Sequence, residues 1–206
     1  MTVQRGVWTG ARVLLVILTL TCAACGRKAK QQARQAEQDA QSLSEFNHRI
    51  QDFVKMHQNA EPGIPHITAS YSGEEIVARQ HTMAARIVAQ RAGAMEGNIF
   101  TPAIRPYFER AINSAYAENE PGIQASLECI TPVDEKALTA NAAYPENVSY
   151  AMTPPTILLH IPKLPPELEY RIVNRDLLLR DVEANLIVDI MRNAIRPVPG
   201  RRICDD

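Results

Sequence analysis

Apolar and polar positions divide the chain into stretches of contrasting character, beginning with the run Val13 to Leu20 and the small residues Ala23 and Ala24. A bilayer takes about 20 apolar residues to span, far more than this run offers. With Arg5 and Arg12 in front of it, the segment has the three-part layout of a removable export signal over residues 1–24. From Gly26 to Gln41 there is no large apolar side chain. Good helix formers with nothing to bury predict a solvated helix or spacer, a polar stalk covering residues 25–41.

Packed structure is expected from Ser42. Ser42-Leu43-Ser44-Glu45 fits a capping box, and Leu43, Phe46, Ile50, Phe53 and His57 then recur at intervals of three and four, one face of a helix that Glu61-Pro62-Gly63 stops. Ser72 and Glu75 fit a second box, opening a helix to about Ala94 with Ile76, Val77, Met83, Ala84, Ile87 and Val88 inward and Gly97 as terminator. Thr101-Pro102 predicts a third helix, with Ile104, Tyr107, Phe108, Ala111, Ile112 and Ala115 as its stripe, ending before Pro121-Gly122.

The punctuation then changes. Ile123–Ile130 and Ala137–Tyr144 are short stretches bounded by Pro and Gly and read as strand-like. Thr153-Pro154-Pro155 opens a helical turn carrying Ile157, Leu158 and Leu159. Glu169–Val173 and Leu177–Arg180 flank the turn formers Asn174-Arg175-Asp176, which predicts a β-hairpin. Asn185, Asp189, Arg192 and Arg196 form a polar stripe that argues for a final helix with Leu186, Ile187, Ile190 and Met191 inward; the alternation of Leu186, Val188 and Ile190 leaves a third strand open. The expected fold is α+β: three amphipathic helices, a small antiparallel β region with a C-terminal hairpin, and a final helix, in a single domain over residues 42–196 with an irregular tail at 197–206.

Charge narrows the partners. The 206 residues carry 22 basic and 23 acidic side chains, and loss of residues 1–24 removes two of the basic ones, Arg5 and Arg12, moving the formal charge from −1 to −3. A mildly acidic mature chain has no electrostatic footprint for nucleic acid.

Cys25, directly after Ala23-Ala24, is where cleavage of the signal is expected. The segment resembles a bacterial lipoprotein signal, with Cys22 where that family usually has Leu. The resemblance implies a lipidated, palmitate-bearing Cys25 as first residue of the mature protein and a membrane attachment through that anchor. Gly26, rather than the Asp that marks inner-membrane retention in enteric lipoproteins, implies an outer-membrane, periplasm-facing location. In that oxidising compartment Cys129 and Cys204 are candidates for a disulfide closing a long loop, the alternative being two free thiols.

The body, over most of residues 50–196, resembles a group of uncharacterised bacterial exported proteins. The shared landmarks are Gly97-Asn98-Ile99-Phe100-Thr101-Pro102, Tyr144-Pro145, and Leu164 to Arg171 leading into Asp181 to Asp189. It implies a common fold and an envelope location, and transfers no activity, cofactor or site.

Candidate chemistry is sparse. His48, His57, His66, His81 and His160 form no His-x-x-x-His pair, so neither a metal centre nor any cofactor is expected, and Met56-His57 and His81-Thr82-Met83 are weak pointers to a soft metal such as copper. Neither a nucleophile elbow nor a phosphate-binding glycine loop is present. Glu167, Glu169, Asp176, Asp181, Glu183 and Asp189 are interleaved with Arg171, Arg175, Arg180 and Arg192, which reads as surface ion pairing. The reading that results is a lipid-anchored cell-envelope module that binds or scaffolds an envelope protein. Its contact surfaces would be the exposed ends of the first helix and the Pro-rich stretch Pro145 to Pro166. The alternative is a periplasmic hydrolase using Asp181 or Glu183 with His160.

Overall fold

The computed structural model describes the backbone of residues 9–68, 70–130, 133–145, 153–197 and 202–203, and within these the side chains from Arg27 onward, except at 129–130 and 202–203. Two compact units divide between Gln41 and Ser42. Helix α1 spans Thr9–Ala60. In the first unit its side chains from Arg27 to Gln41 are exposed or half-exposed, and Gln35 donates to Asp39 one turn on at 2.9 Å.

In the second unit α1 buries Phe46, Ile50, Phe53, Val54, His57 and Ala60, so the expected stripe forms with Leu43 only partly buried and gains Val54 and Ala60. Its start differs from the expectation. Ser42 caps no helix, because the Ala- and Gln-rich residues before it already propagate one, and its hydroxyl donates instead to the carbonyl of Ala103 at 3.1 Å. The helix stops at Ala60, and Gly63 follows in the left-handed region at φ 76°.

Helix α2, Gly73–Gln90, opens on the Ser72–Glu75 capping box: the Glu75 N–H donates to Ser72 Oγ at 3.3 Å and the Ser72 N–H to Glu75 Oε2 at 2.7 Å. It buries Met83 and Ile87 together with Arg79, while Val77 faces outward, and it ends before Gly97, which belongs instead to a later turn at φ 85°. Helix α3, Arg105–Ser126, begins three residues beyond Pro102, after a turn in which Thr101 O accepts from the Ile104 and Arg105 N–H groups. Phe108, Ile112, Ala115 and Tyr116 are buried along it.

Pro121 does not end α3. Asn119 leaves helical geometry at φ −150°, ψ 62°, and its Oδ1 accepts from the Gly122 N–H at 3.1 Å, so the helix is re-capped and continues with Pro121 in a first turn that needs no amide hydrogen. Ile123 is thereby buried on helical backbone and Leu127 at the helix's C-cap, and the strand expected over Ile123–Ile130 shrinks to β1, Cys129–Ile130. Ala137–Tyr144 is likewise no strand. A 3-10 turn at Glu135–Ala137 leads into a loop that meets the sheet at an Ala143–Leu186 bridge, where the Asn141 N–H donates to the Ile187 carbonyl at 2.8 Å and the Ile187 N–H to the Ala142 carbonyl at 2.9 Å, and it contributes Leu138 and Tyr144 to the core. Thr153 does not cap helix α4, Pro155–His160; its hydroxyl donates to the carbonyl of Tyr170 at 2.8 Å.

The expected hairpin forms as β2, Leu168–Val173, and β3, Asp176–Asp181, antiparallel from Val173 opposite Asp176 to Leu168 opposite Asp181, with Asn174 left-handed at φ 55° in the turn. The final helix does not form. Leu186–Met191 is strand β4, pairing antiparallel with β3 and completing a sheet of order β2-β3-β4 with an irregularity at Leu179/Arg180. All six β4 residues are buried, since Leu186, Val188 and Met191 join the main core under the helices while Ile187 and Ile190 pack with Leu138, Tyr144 and Leu178 on the opposite face. Within the expected tail, Arg202–Ile203 forms β5, parallel to β1. The architecture is α+β, with helices and a three-stranded antiparallel sheet sharing one main core. Among the described residues, the four left-handed ones other than glycine are asparagines: Asn141, Asn174, Asn185 and Asn193.

Candidate functional site

Where the last turn of α1 meets the end of β3, His57 and Asp181 are both within 1% of full burial, and His57 Nδ1 lies 2.6 Å from Asp181 Oδ2. An ionised carboxylate can only accept, so Nδ1 donates and the other ring nitrogen, Nε2, is presented away from Asp181. Asp181 Oδ1 accepts from the Ala184 N–H at 2.7 Å, tying the same carboxylate into the turn between β3 and β4. That turn also carries Glu183, whose Oε2 accepts from Arg79 Nη2 of α2 at 2.6 Å. Arg79 Nε donates to the Pro65 carbonyl at 2.9 Å.

Two buried atoms of this cluster have no hydrogen-bond partner, His57 Nε2 and Arg79 Nη1. Nε2 faces Glu61, with Oε1 3.6 Å away, and one donor atom from each of His57, Glu61 and Glu183 can be chosen so that all lie within 4.8 Å of one another. Burial pushes the imidazole toward its neutral form, but the hydrogen bond to Asp181 and the charges of Asp181, Glu183 and Glu61 outweigh it and hold the His57 pKa above its ordinary value.

A second feature is an apolar groove of about 540 Å³ between α4, the segment Pro162–Leu164 and β2. Pro155, Leu158, Pro162, Leu164 and Leu168 provide its apolar surface, and Lys163 and the paired Glu169 and Arg171 are its charged lining. Four consecutive β2 residues, Leu168 to Arg171, line it. Successive strand residues point to opposite faces, so the groove follows the strand's outer edge, which no other strand of the sheet covers. Beside it Leu159 is 80% exposed and Leu158 43%.

The residues singled out by sequence fall differently from expectation. His160 pairs with Glu118 of α3 at 2.8 Å, while Asp181 is bound to His57 and Glu183 to Arg79, so the structure does not bring His160 together with those carboxylates. The acidic cluster is only partly a surface network. Glu169 pairs with Arg171 and Arg180, and Asp176 with Arg192 at 2.8 Å, but Asp181 and Asp189 are completely buried. Met83 is core and His81 exposed on the same helix, so they form no soft-metal pair. Cys25 falls in the helical span of α1 and Cys129 in β1, but the side chains of both, and the whole of Cys204, lie outside the described residues.

Sequence reasoning placed His57 on the buried stripe and missed its use. The available signal was Glu61, four residues further on, the spacing at which a histidine and a carboxylate meet along a helix. Asp181 is 124 residues away in sequence, and no local pattern announces it. No protein-family model matches the chain, and neither curated proteins nor solved structures show a significant similarity to it.

Proposed function

We propose that the protein is a lipid-anchored module of the bacterial cell envelope that holds an extended, apolar segment of an envelope protein along the outer edge of β2. The observation that carries the binding half of this reading is the groove itself: apolar walls, a strand edge along its length and two exposed leucines beside it. Affinity would come mainly from the apolar walls, because on that edge the Tyr170 carbonyl already accepts from Thr153 and the Leu168 N–H already donates to Pro165, and selectivity from alternate side chains entering the pockets around Leu158 and Leu164. The volume lies within the usual range for binding sites, about 300–1,000 Å³. Support for the anchor comes from the basic front, the short apolar run and the placement of Cys25 after two alanines. The His57–Asp181 pair adds no support for hydrolysis, because none of the groove-lining residues belongs to it.

Two measurements test the reading. A photocrosslinking residue at Leu159 is expected to capture one envelope protein in intact cells, with capture reduced at least fivefold by Leu158→Glu. The same residue at Val182, also exposed but not part of the groove's lining, is expected to capture nothing specific. Equal labelling from both positions, or crosslinks only within the chain, would sink the docking site. Separately, mass spectrometry of the mature N-terminus is expected to show an acylated Cys25, and Cys25→Ser to move the protein from the membrane to the soluble fraction. An unmodified N-terminus would remove the anchor.

A further inference from the structure

We propose that His57, Glu61 and Glu183 form a binding site for a divalent transition-metal ion of the zinc type, with Asp181 as the group that orients the histidine. This site is distinct from the groove and shares no residue with it.

The histidine makes the first part of the case. A neutral imidazole deep in a protein normally finds partners for both nitrogens, yet Nε2 is buried without one while Nδ1 is locked to a carboxylate. Metal-binding histidines are held in this way: one nitrogen donates to a carboxylate, which fixes the ring and makes the other nitrogen a better ligand. Nε2 lies 3.6 Å from Glu61 Oε1, and Glu183 completes a group whose donor atoms lie within 4.8 Å of one another.

The carboxylates make the second part. Their side chains are 44% and 40% exposed, so ions can reach the site from solvent and both groups can swing inward. Donor atoms now within 4.8 Å of one another need only modest rotation to approach zinc–ligand distances of about 2.0–2.2 Å. Arg79 engages Oε2 of Glu183 and leaves that side chain its other oxygen for the ion.

Charge and ligand type select the ion. The cluster places three carboxylates, Asp181, Glu61 and Glu183, against a single guanidinium, Arg79, so with a neutral imidazole it carries a formal charge of −2 that one divalent cation would balance. Its position at the C-terminal end of α1 favours a cation further. One imidazole and two carboxylates, without sulfur, suit zinc or manganese rather than the soft copper ion that the Met-His neighbours suggested.

The test is calorimetric titration of zinc chloride into the chelator-treated, detergent-solubilised full-length protein. One equivalent is expected to bind in the micromolar range or tighter. Glu61→Gln and Glu183→Gln change half-exposed side chains and should stay folded by circular dichroism; each is expected to weaken binding at least tenfold. Cys129→Ser and Cys204→Ser are expected to leave it unchanged, and a cobalt-substituted sample to lack a thiolate charge-transfer band. Zinc uptake indifferent to both glutamine variants, uptake that depends on the cysteines, or no uptake by the folded parent would each overturn the site and leave a purely structural ion cluster.

Discussion

Asp189→Ala is expected to be among the most damaging single substitutions in this protein, costing about 4 kcal/mol of folding stability although it touches no proposed binding surface. Asp189 is completely buried in the centre of β4. Its Oδ1 accepts from the Gly97 N–H at 2.8 Å and from its neighbour Ile190 at 2.8 Å, and its Oδ2 accepts from Ile99 at 2.6 Å and Phe100 at 2.7 Å. Three of those donors, Gly97, Ile99 and Phe100, belong to a tight turn between α2 and α3, and Gly97 at φ 85° lets the backbone curl around the carboxylate. Alanine would leave these amide hydrogens without an acceptor, and water has little access to replace it. At roughly 2–4 °C per kcal/mol for a domain of this size, the midpoint of thermal unfolding should fall by about 8–16 °C. Asp189→Asn keeps an oxygen in place and should lose less. Guanidinium denaturation checks both, and an alanine variant within 1 kcal/mol of the parent would refute the account.

Phe108→Ala should approach the same magnitude by an unrelated route. Its ring sits 5.4 Å from that of Phe46 on α1, 5.3 Å from Phe100 in the turn before α3 and 6.1 Å from Tyr170 on β2, so one side chain joins four parts of the core. The contacts with Phe46, Phe100 and Tyr170 are edge-to-face, an arrangement that adds to simple burial. Truncating a fully buried phenylalanine costs about 3–5 kcal/mol. Phe108→Leu should recover more than half of that loss. Denaturant midpoints measure the energy, and the aromatic circular dichroism band reports whether the ring cluster has loosened. If alanine and leucine proved equally harmful, shape at this position rather than lost volume would govern the core.

How much of this was legible in the sequence depended on how far each residue's partner lay along the chain. Ser72 and Glu75 satisfy each other within one turn, and the capping box was readable from spacing alone. Asn174 similarly marked the hairpin. Asp189 was misread because an aspartate between apolar residues looks like the wet side of a helix, and the amides that make its burial tolerable are about 90 residues away. The alternation of Leu186, Val188 and Ile190 left β4 open as a third strand, but apolar Ile187 between them blurred that signal, since the loop carrying Leu138 and Tyr144 covers the face that would otherwise meet water. At Ser42 the local signal was genuine but overruled by helix formers upstream. At the candidate metal site, half was visible as His57 and Glu61 on neighbouring turns, and the rest required β3 to be folded against α1.

The asparagines at positive φ carry a consequence for the unfolded chain. Glycine would adopt these turns without steric cost, but it would also enlarge the set of conformations surrendered on folding. Asparagine tolerates the left-handed region while remaining stiffer in the denatured ensemble, and here its amide is put to use as well: Asn141 Nδ2 donates to the Arg91 carbonyl at 3.0 Å, Asn174 Nδ2 to Val133 at 3.0 Å, and Asn185 Oδ1 accepts from Arg180 at 2.6 Å. Replacing these residues with glycine would relieve local strain, yet it would raise the disorder of the starting state and cut the ties that pin the turns. The sheet therefore owes part of its persistence to restricted freedom before folding begins, a contribution that its folded contacts alone do not contain.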